Sequence, residues 1–141
     1  MSKVFFDANI LLDLLISNRK NHTKALEVLV KVSDKYESLV TSEDIITTIE
    51  YIAFKNGIDC MRVWEFFKSL QLHFEILNFS NILDVSLEHY KRQCESKKKL
   101  DFEDLLQLEC AMAYGCDIFI TEDKGMSKLD VNIKVMNLKD F

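Results

Sequence analysis

VFFDANILLD, residues 4–13, is an apolar strand pattern that ends on an acid, Asp7, and runs directly into a helix. The same order returns in CDIFITED, residues 116–123, where a second apolar strand is followed closely by Asp123. Between the two stretches, a long apolar helix is predicted to begin at residues 101–104, a segment that starts with Asp101 and ends with Asp104. In a parallel sheet the carboxyl ends of the strands share one edge, and ligands bind in the crevice there. We therefore expect these acids to converge on one place.

Strand and helix patterns alternate along the whole chain. Strands are predicted at residues 3–6, 38–40, 74–77, 117–120 and 133–136. Helices are predicted at about residues 10–17, 21–35, 42–56, 59–70, 80–95 and 101–114, with Ser42 as an N-cap and Gly115 as a C-cap. Strands separated by helices indicate an α/β protein, a three-layer α/β/α sandwich with a central parallel sheet.

Length and composition predict one globular domain, residues 1–141. No apolar run approaches the roughly 18 residues that span a bilayer, and the chain opens on a strand pattern rather than a secretion signal. The four cysteines are scattered, without the close spacing of a zinc site or a disulfide framework. We expect a soluble cytoplasmic protein with reduced thiols and no membrane association.

The net charge is −5, from 18 basic and 23 acidic residues. A protein that binds nucleic acid by electrostatics alone normally has a basic excess. If four of the acids form a metal site, the remaining charge is −5 + 4 = −1. The net charge therefore permits a nucleic-acid substrate but does not indicate one.

The acids also have ordinary structural explanations. Asp7 suits the cap of the helix that follows it, with Asn9 as an alternative N-cap or as a hydrogen-bond partner that orients Asp7. Asp13, inside that helix, is interpreted as a solvated residue or a local partner. Asp101 suits an N-cap and Asp104 the first helical turn, and their Cβ atoms share a helix face at about 5–6 Å. Capping and ligand binding are compatible at a helix start.

Converged carboxylates repel one another, so such a cluster predicts a bound hard cation such as Mg²⁺. A divalent-metal nuclease needs a set of this kind, because the metal aligns a water molecule, lowers its pKa and stabilises charge on the phosphate oxygens. The pattern therefore favours a metal-dependent enzyme.

The chain resembles the PIN domain family, the fold of VapC-type toxin ribonucleases. Three segments carry the resemblance: residues 4–13 (VFFDANILLD), 101–107 (DFEDLLQ) and 118–123 (IFITED). Their order and spacing span nearly the whole chain. The resemblance implies a divalent-metal-dependent endoribonuclease that acts on RNA, pairs as a homodimer and is blocked by a small antitoxin protein.

The resemblance also implies particular roles. Asp7, Asp104 and Asp123 match the family's acids around Mg²⁺ or Mn²⁺, and Asp101 matches an additional acid seen in some members. Two polar residues match supporting positions, Asn9 beside the first acid and Thr121 at the end of the later strand.

One position departs from the family pattern. The family commonly has a glutamate about six residues past a serine or threonine such as Ser42, and here that position is Thr48. Glu50 lies about 200° round the helix and is expected to point elsewhere. Asp44, one turn before Thr48 on the same face, is the expected substitute, and Glu43 is a weaker one.

Two further segments are ambiguous from sequence. The basic run Lys97, Lys98 and Lys99 precedes the acidic helix and is either a solvated loop or a guide for RNA phosphates. The aromatic residues Trp64, Phe66 and Phe67 are interpreted first as core. A homodimer or antitoxin surface is the alternative.

Other classes of protein remain as alternatives. A PIN-like module that binds RNA or a protein partner without catalysis is suggested by Thr48. A haloacid-dehalogenase-type phosphatase would need a second acid where this chain has Asn9. A receiver domain would need a phosphorylatable aspartate after the strand at residues 74–77, where the chain offers Asn78.

Overall fold

The computed structural model describes residues 2–95, 101–127 and 131–141. Five strands form one sheet in which every pairing is parallel. The strands are β1 (Lys3–Phe6), β2 (Ser38–Ser42), β3 (Phe74–Leu77), β4 (Ile118–Ile120) and β5 (Lys134–Met136), in the order β3-β2-β1-β4-β5. The central parallel sheet predicted from the sequence is confirmed.

Helices cover both faces of this sheet. They are α1 (Ala8–Leu15), α2 (His22–Lys35), α3 (Ile46–Lys55), α4 (Cys60–His73), α5 (Leu83–Cys94), α6 (Phe102–Ala113) and the short α7 (Lys124–Ser127). Val4 and Phe6 pack into one core cluster with α1, α2 and α3, whereas Phe5 packs into a second with α6. Successive side chains of a strand point to opposite faces, so β1 contributes to both clusters. The layers are those of an α/β/α sandwich.

The topology places a crevice beside the end of β1. From β1 the chain builds β2 and β3 on one side and β4 and β5 on the other, so the strand order reverses between β1 and β4. The Asp7 N–H donates to the Ile120 carbonyl at 3.2 Å, which brings the ends of these two strands side by side. Ligands of open α/β sheets bind at such a reversal point.

One predicted helix start is wrong. Asn9 is not an N-cap, because α1 begins at Ala8 with Asp7 as its cap. Ser42 is an N-cap as predicted, although its side chain makes no capping hydrogen bond and the segment that it caps is a 3₁₀ turn at Glu43–Ile45. This turn leads directly into α3.

Other predicted features hold. Gly115 follows α6 with a φ of +71°, the left-handed conformation that glycine adopts at low cost after a helix. All four cysteines are free. Across the described ranges, no helix combines the length and the apolar character that a membrane span requires.

Candidate active site

Asp7 is the buried centre of the candidate site. Its side chain is 2% exposed at the carboxyl end of β1. Oδ1 accepts a hydrogen bond from the Ile10 N–H at 2.9 Å, and Oδ2 accepts one from the Thr121 hydroxyl. Burial raises the pKa of Asp7 to about 7 despite these two bonds, and the charges of Asp13 and Asp123 add to the rise.

Thr121 connects Asp7 to Asp123. The Thr121 Oγ1 that donates to Asp7 also accepts the Asp123 N–H at 3.0 Å. Asp123 Oδ1 in turn accepts the N–H groups of Gly125 at 2.7 Å and Met126 at 3.3 Å, which fixes the carboxylate at the start of α7. The predicted supporting residue Thr121 therefore lies between two of the predicted acids.

Asp101 and Asp104 are the predicted acids at the start of α6. Asp101 is the N-cap of α6 and accepts the Asp104 N–H at 2.8 Å. The pKa of Asp104 is raised to about 7, first by burial, then by Asp101, and further by the charges of Asp123 and Asp7. Acids from three separate segments are thus close enough to influence one another's ionisation.

The side chains of Asp7, Asp104 and Asp123 are near one another, but their oxygens are not arranged as a metal coordination sphere. Within the described residues, no group of three or more acidic, histidine or cysteine side chains is arranged to hold a metal ion. The donor chemistry nevertheless suits a hard divalent cation, because the converging ligands are carboxylate oxygens. Burial and mutual repulsion raise the pKa of both Asp7 and Asp104, and a bound cation would oppose both effects.

A second acidic group lies at the end of β2. The Thr48 hydroxyl donates to Glu103 Oε2 at 2.7 Å, so the residue predicted at the family's glutamate position contacts a glutamate from α6. Burial raises the pKa of Asp44, and the nearby Ser42 hydroxyl opposes part of that rise. The charges of Asp44 and Asp101 both raise the pKa of Glu103, although burial contributes most.

Gln107 was not singled out from the sequence. It is 1% exposed on α6, and its Oε1 accepts the Ala8 N–H at 2.9 Å. This bond ties α6 to the first turn of α1, directly beside Asp7. The signal in the sequence was a polar residue inside an apolar helix, one turn after Glu103 on the same face.

Replacing Gln107 by leucine is expected to lower the free energy of unfolding by about 1–3 kcal/mol, because the buried Ala8 N–H loses its acceptor. Urea denaturation measures the change. Gln71→Leu, a matched change at an exposed glutamine of α4, is expected to have little effect. Equal loss in the two variants would contradict the proposed tie between α6 and α1.

Several predicted residues lie outside this arrangement. Asn9 is exposed in the first turn of α1, and no hydrogen bond joins it to Asp7 in the described structure. Asp13 is buried and paired with Arg19 Nε at 2.7 Å, so it is a local partner and its alternative interpretation as a solvated residue is wrong. Glu50 is exposed on α3. The basic run at 97–99 lies outside the described residues.

The core interpretation of Trp64 is wrong, because its side chain is 56% exposed. With Phe54 of α3 it lines an apolar groove of about 350 Å³ between α3 and α4. Phe66 and Phe67 are partly buried and pack against the core, as predicted.

A parallel sheet with acids gathered at its strand-order reversal is the architecture that the sequence resemblance implied. The chain belongs to the PIN domain family, whose model matches residues 3–125. A relative named Ribonuclease VapC1, from Aquifex aeolicus, is 30% identical over 141 residues, covering 99% of this chain and 92% of that protein.

Solved structures share the fold. Mycobacterium tuberculosis VapC20, described as a Sarcin-Ricin loop cleaving toxin, superposes with a TM-score of 0.72 at 10% identity, covering 93% of this chain and 98% of that one. VapBC2 from Rickettsia felis, bound to a DNA fragment from its promoter, gives 0.70 at 18% identity, covering 96% and 98%. A toxin-antitoxin complex from Klebsiella pneumoniae gives 0.63 at 20% identity, covering 96% and 97%.

Proposed function

We propose that residues 1–141 form a single nuclease domain that hydrolyses RNA phosphodiester bonds with Mg²⁺ or Mn²⁺. The observation that carries the proposal is that Thr121 joins Asp7 to Asp123 at the ends of β1 and β4, with Asp104 close enough for their charges to raise its pKa. Membership of the PIN family and the likeness to Ribonuclease VapC1 support RNA as the substrate.

In this proposal Asp7, Asp104 and Asp123 hold the metal and Asp101 assists. The ion would lower the pKa of a water nucleophile and offset charge that builds on the phosphate oxygens. Thr121 orients Asp7 through its hydroxyl, and Asp101 fixes the first turn of α6 below Asp104. These contacts hold the acids in place before substrate arrives.

The proposed RNA path passes the first turns of α1 and α6, which begin directly after the predicted acids Asp7 and Asp101. Asn9, exposed in the first turn of α1, is a supporting residue of this path. Lys97, Lys98 and Lys99 precede α6 in the sequence and are proposed to guide phosphates toward the acids.

The direct test is cleavage of a mixed RNA pool by purified protein with Mg²⁺, Mn²⁺ or EDTA. We expect cleavage with either ion and none in EDTA. Asp104→Asn is expected to remove it. Asp34→Asn, a control in the exposed last turn of α2 just before β2, is expected to retain it. Cleavage that persists in EDTA, or in Asp104→Asn, would contradict the proposal.

We also propose that the protein is the cytoplasmic toxin of a toxin–antitoxin pair and functions as a homodimer. Its likeness to toxin–antitoxin complexes supports a small antitoxin partner. The apolar groove beside Phe54 and Trp64 is an accessible surface for a partner chain. Loss of antitoxin binding in Trp64→Ala, with RNA cleavage retained, would support that surface.

A catalytically silent PIN-like module that binds RNA or a protein is the second candidate. Thr48 favours it, since the family's usual glutamate is absent at that position. Such a module would not need metal. A thermal shift on adding Mn²⁺ that disappears in Asp104→Asn would count against it.

A further inference from the structure

The missing glutamate of α3 has a counterpart on another helix. Thr48 stands where the family commonly has that glutamate, and its hydroxyl donates to Glu103 Oε2 at 2.7 Å. Glu103 comes from the first turn of α6, the residue before Asp104. The carboxylate is therefore present beside position 48, although it is supplied by a different element.

The Glu103 carboxylate lies about as far from the Cβ of residue 48 as the carboxylate of a glutamate at that position would. Threonine Oγ1 is one bond from Cβ, and the Glu103 oxygen lies one hydrogen bond beyond it. A glutamate at position 48 would place its own carboxylate oxygens about as far from that Cβ. Thr48 and Glu103 together thus put an acidic oxygen near the place that one longer side chain would reach.

The surroundings of Glu103 are acidic. The charge of Asp44 is close enough to raise the pKa of Glu103. Ser42 is fully buried at the carboxyl end of β2 and its hydroxyl lowers the pKa of Asp44, yet no hydrogen bond of ordinary geometry is made by Ser42 Oγ or the Asp44 oxygens among the described residues. Two carboxylates close enough for one to raise the pKa of the other, without a basic partner between them among the described residues, favour a bound cation.

We propose that Glu103, positioned by Thr48, is the fourth acid of the metal site and replaces the glutamate that α3 lacks. The inference rests on the proposed metal-dependent function and assigns one more residue to that site. Thr48 acts through Glu103: it holds the carboxylate toward the end of β2. Gln107 Nε2 donates to the Glu103 carbonyl at 3.4 Å and supports the same turn of α6.

The proposal is tested by moving the carboxylate from position 103 to position 48. Calorimetric titration of Mn²⁺ is carried out on Glu103→Gln, on the double variant Thr48→Glu with Glu103→Gln, and on wild type. We expect Glu103→Gln to weaken Mn²⁺ binding by about tenfold or more. The double variant moves the carboxylate onto α3 and is expected to recover most of the affinity.

Two single variants separate positioning from a general structural role. Thr48→Ser keeps the donor and is expected to bind Mn²⁺ as wild type does, whereas Thr48→Val loses it and weakens binding. Glu50→Gln, an exposed glutamate on the same helix, is the matched control and is expected to leave binding unchanged. Urea denaturation in EDTA establishes that each variant is folded before its titration is compared.

Different failures have different meanings. Wild-type affinity in Glu103→Gln, together with lost binding in Asp104→Asn, would overturn the role of Glu103 and leave the metal site intact. A folded double variant as weak as Glu103→Gln would also overturn it. Absence of Mn²⁺ binding by wild-type protein would instead contradict the proposed function on which the inference rests.

Discussion

Asp7→Asn is expected to lower metal-dependent RNA cleavage by about a thousandfold or more, the scale of the several kcal/mol that a bound metal contributes to transition-state stabilisation. Asp7 is the most buried of the predicted ligands, between the Thr121 hydroxyl and the Ile10 N–H. An amide of the same shape keeps the packing and removes the negative charge. Single-turnover cleavage with Mn²⁺ measures the loss.

The same variant is expected to be more stable than wild type without metal at pH 8. Burial raises the pKa of Asp7 from 3.8 to about 7, so ionising it in the folded protein costs up to about 4 kcal/mol. Asparagine avoids that cost. Urea denaturation in EDTA compares Asp7→Asn with Asp34→Asn, whose carboxylate is exposed. An inactive variant that is also strongly destabilised would indicate a structural role instead.

The metal-free protein is expected to lose stability as the pH rises from about 4 to 8. The pKa values of Asp7 and Asp104 are both raised to about 7, so between their unfolded and folded values the folded state binds more protons. Stability from these groups is fully present below the unfolded pKa and is lost as pH passes the folded pKa. Mn²⁺ at about 100 times its Kd should restore about 2.7 kcal/mol at pH 8.

Denaturation curves in EDTA at several pH values measure this dependence. The double variant Asp7→Asn with Asp104→Asn is the control, because the difference between it and wild type isolates the two carboxyls from every other titrating group. We expect that difference to grow as pH rises. A difference that is constant with pH, or that shrinks, would contradict the burial of these acids as the cause.

Much of the fold and the main acids could be predicted from the sequence. Apolar strands separated by helices require a covered parallel sheet, and such a sheet brings its carboxyl ends to one edge. Asp7 and Asp123 each follow a strand, so their proximity follows from the topology. The cap at Asp101 was predictable too, because an aspartate just before an apolar helix pattern can accept the N–H of the residue three positions on, here Asp104.

Contacts between helices could not be predicted in the same way. The bond from Thr48 to Glu103 depends on how α3 and α6 are rotated about their own axes, and one sequence does not determine that rotation. The exposure of Trp64 has the same origin, since an aromatic stripe shows apolar character without showing which part is covered. The wrong cap at Asn9 arose at an element boundary, where local signals overlap.

The most direct measurement is the chemistry of the new ends produced when wild-type protein cleaves RNA with Mn²⁺, with Asp104→Asn as the blank. Water as the nucleophile leaves no cyclic phosphate, whereas attack by the neighbouring ribose hydroxyl does. We predict ends free of cyclic phosphate, formed only with the metal and only by protein that retains Asp104. Cyclic phosphate ends that form equally in EDTA would contradict a metal-dependent hydrolytic site at these acids.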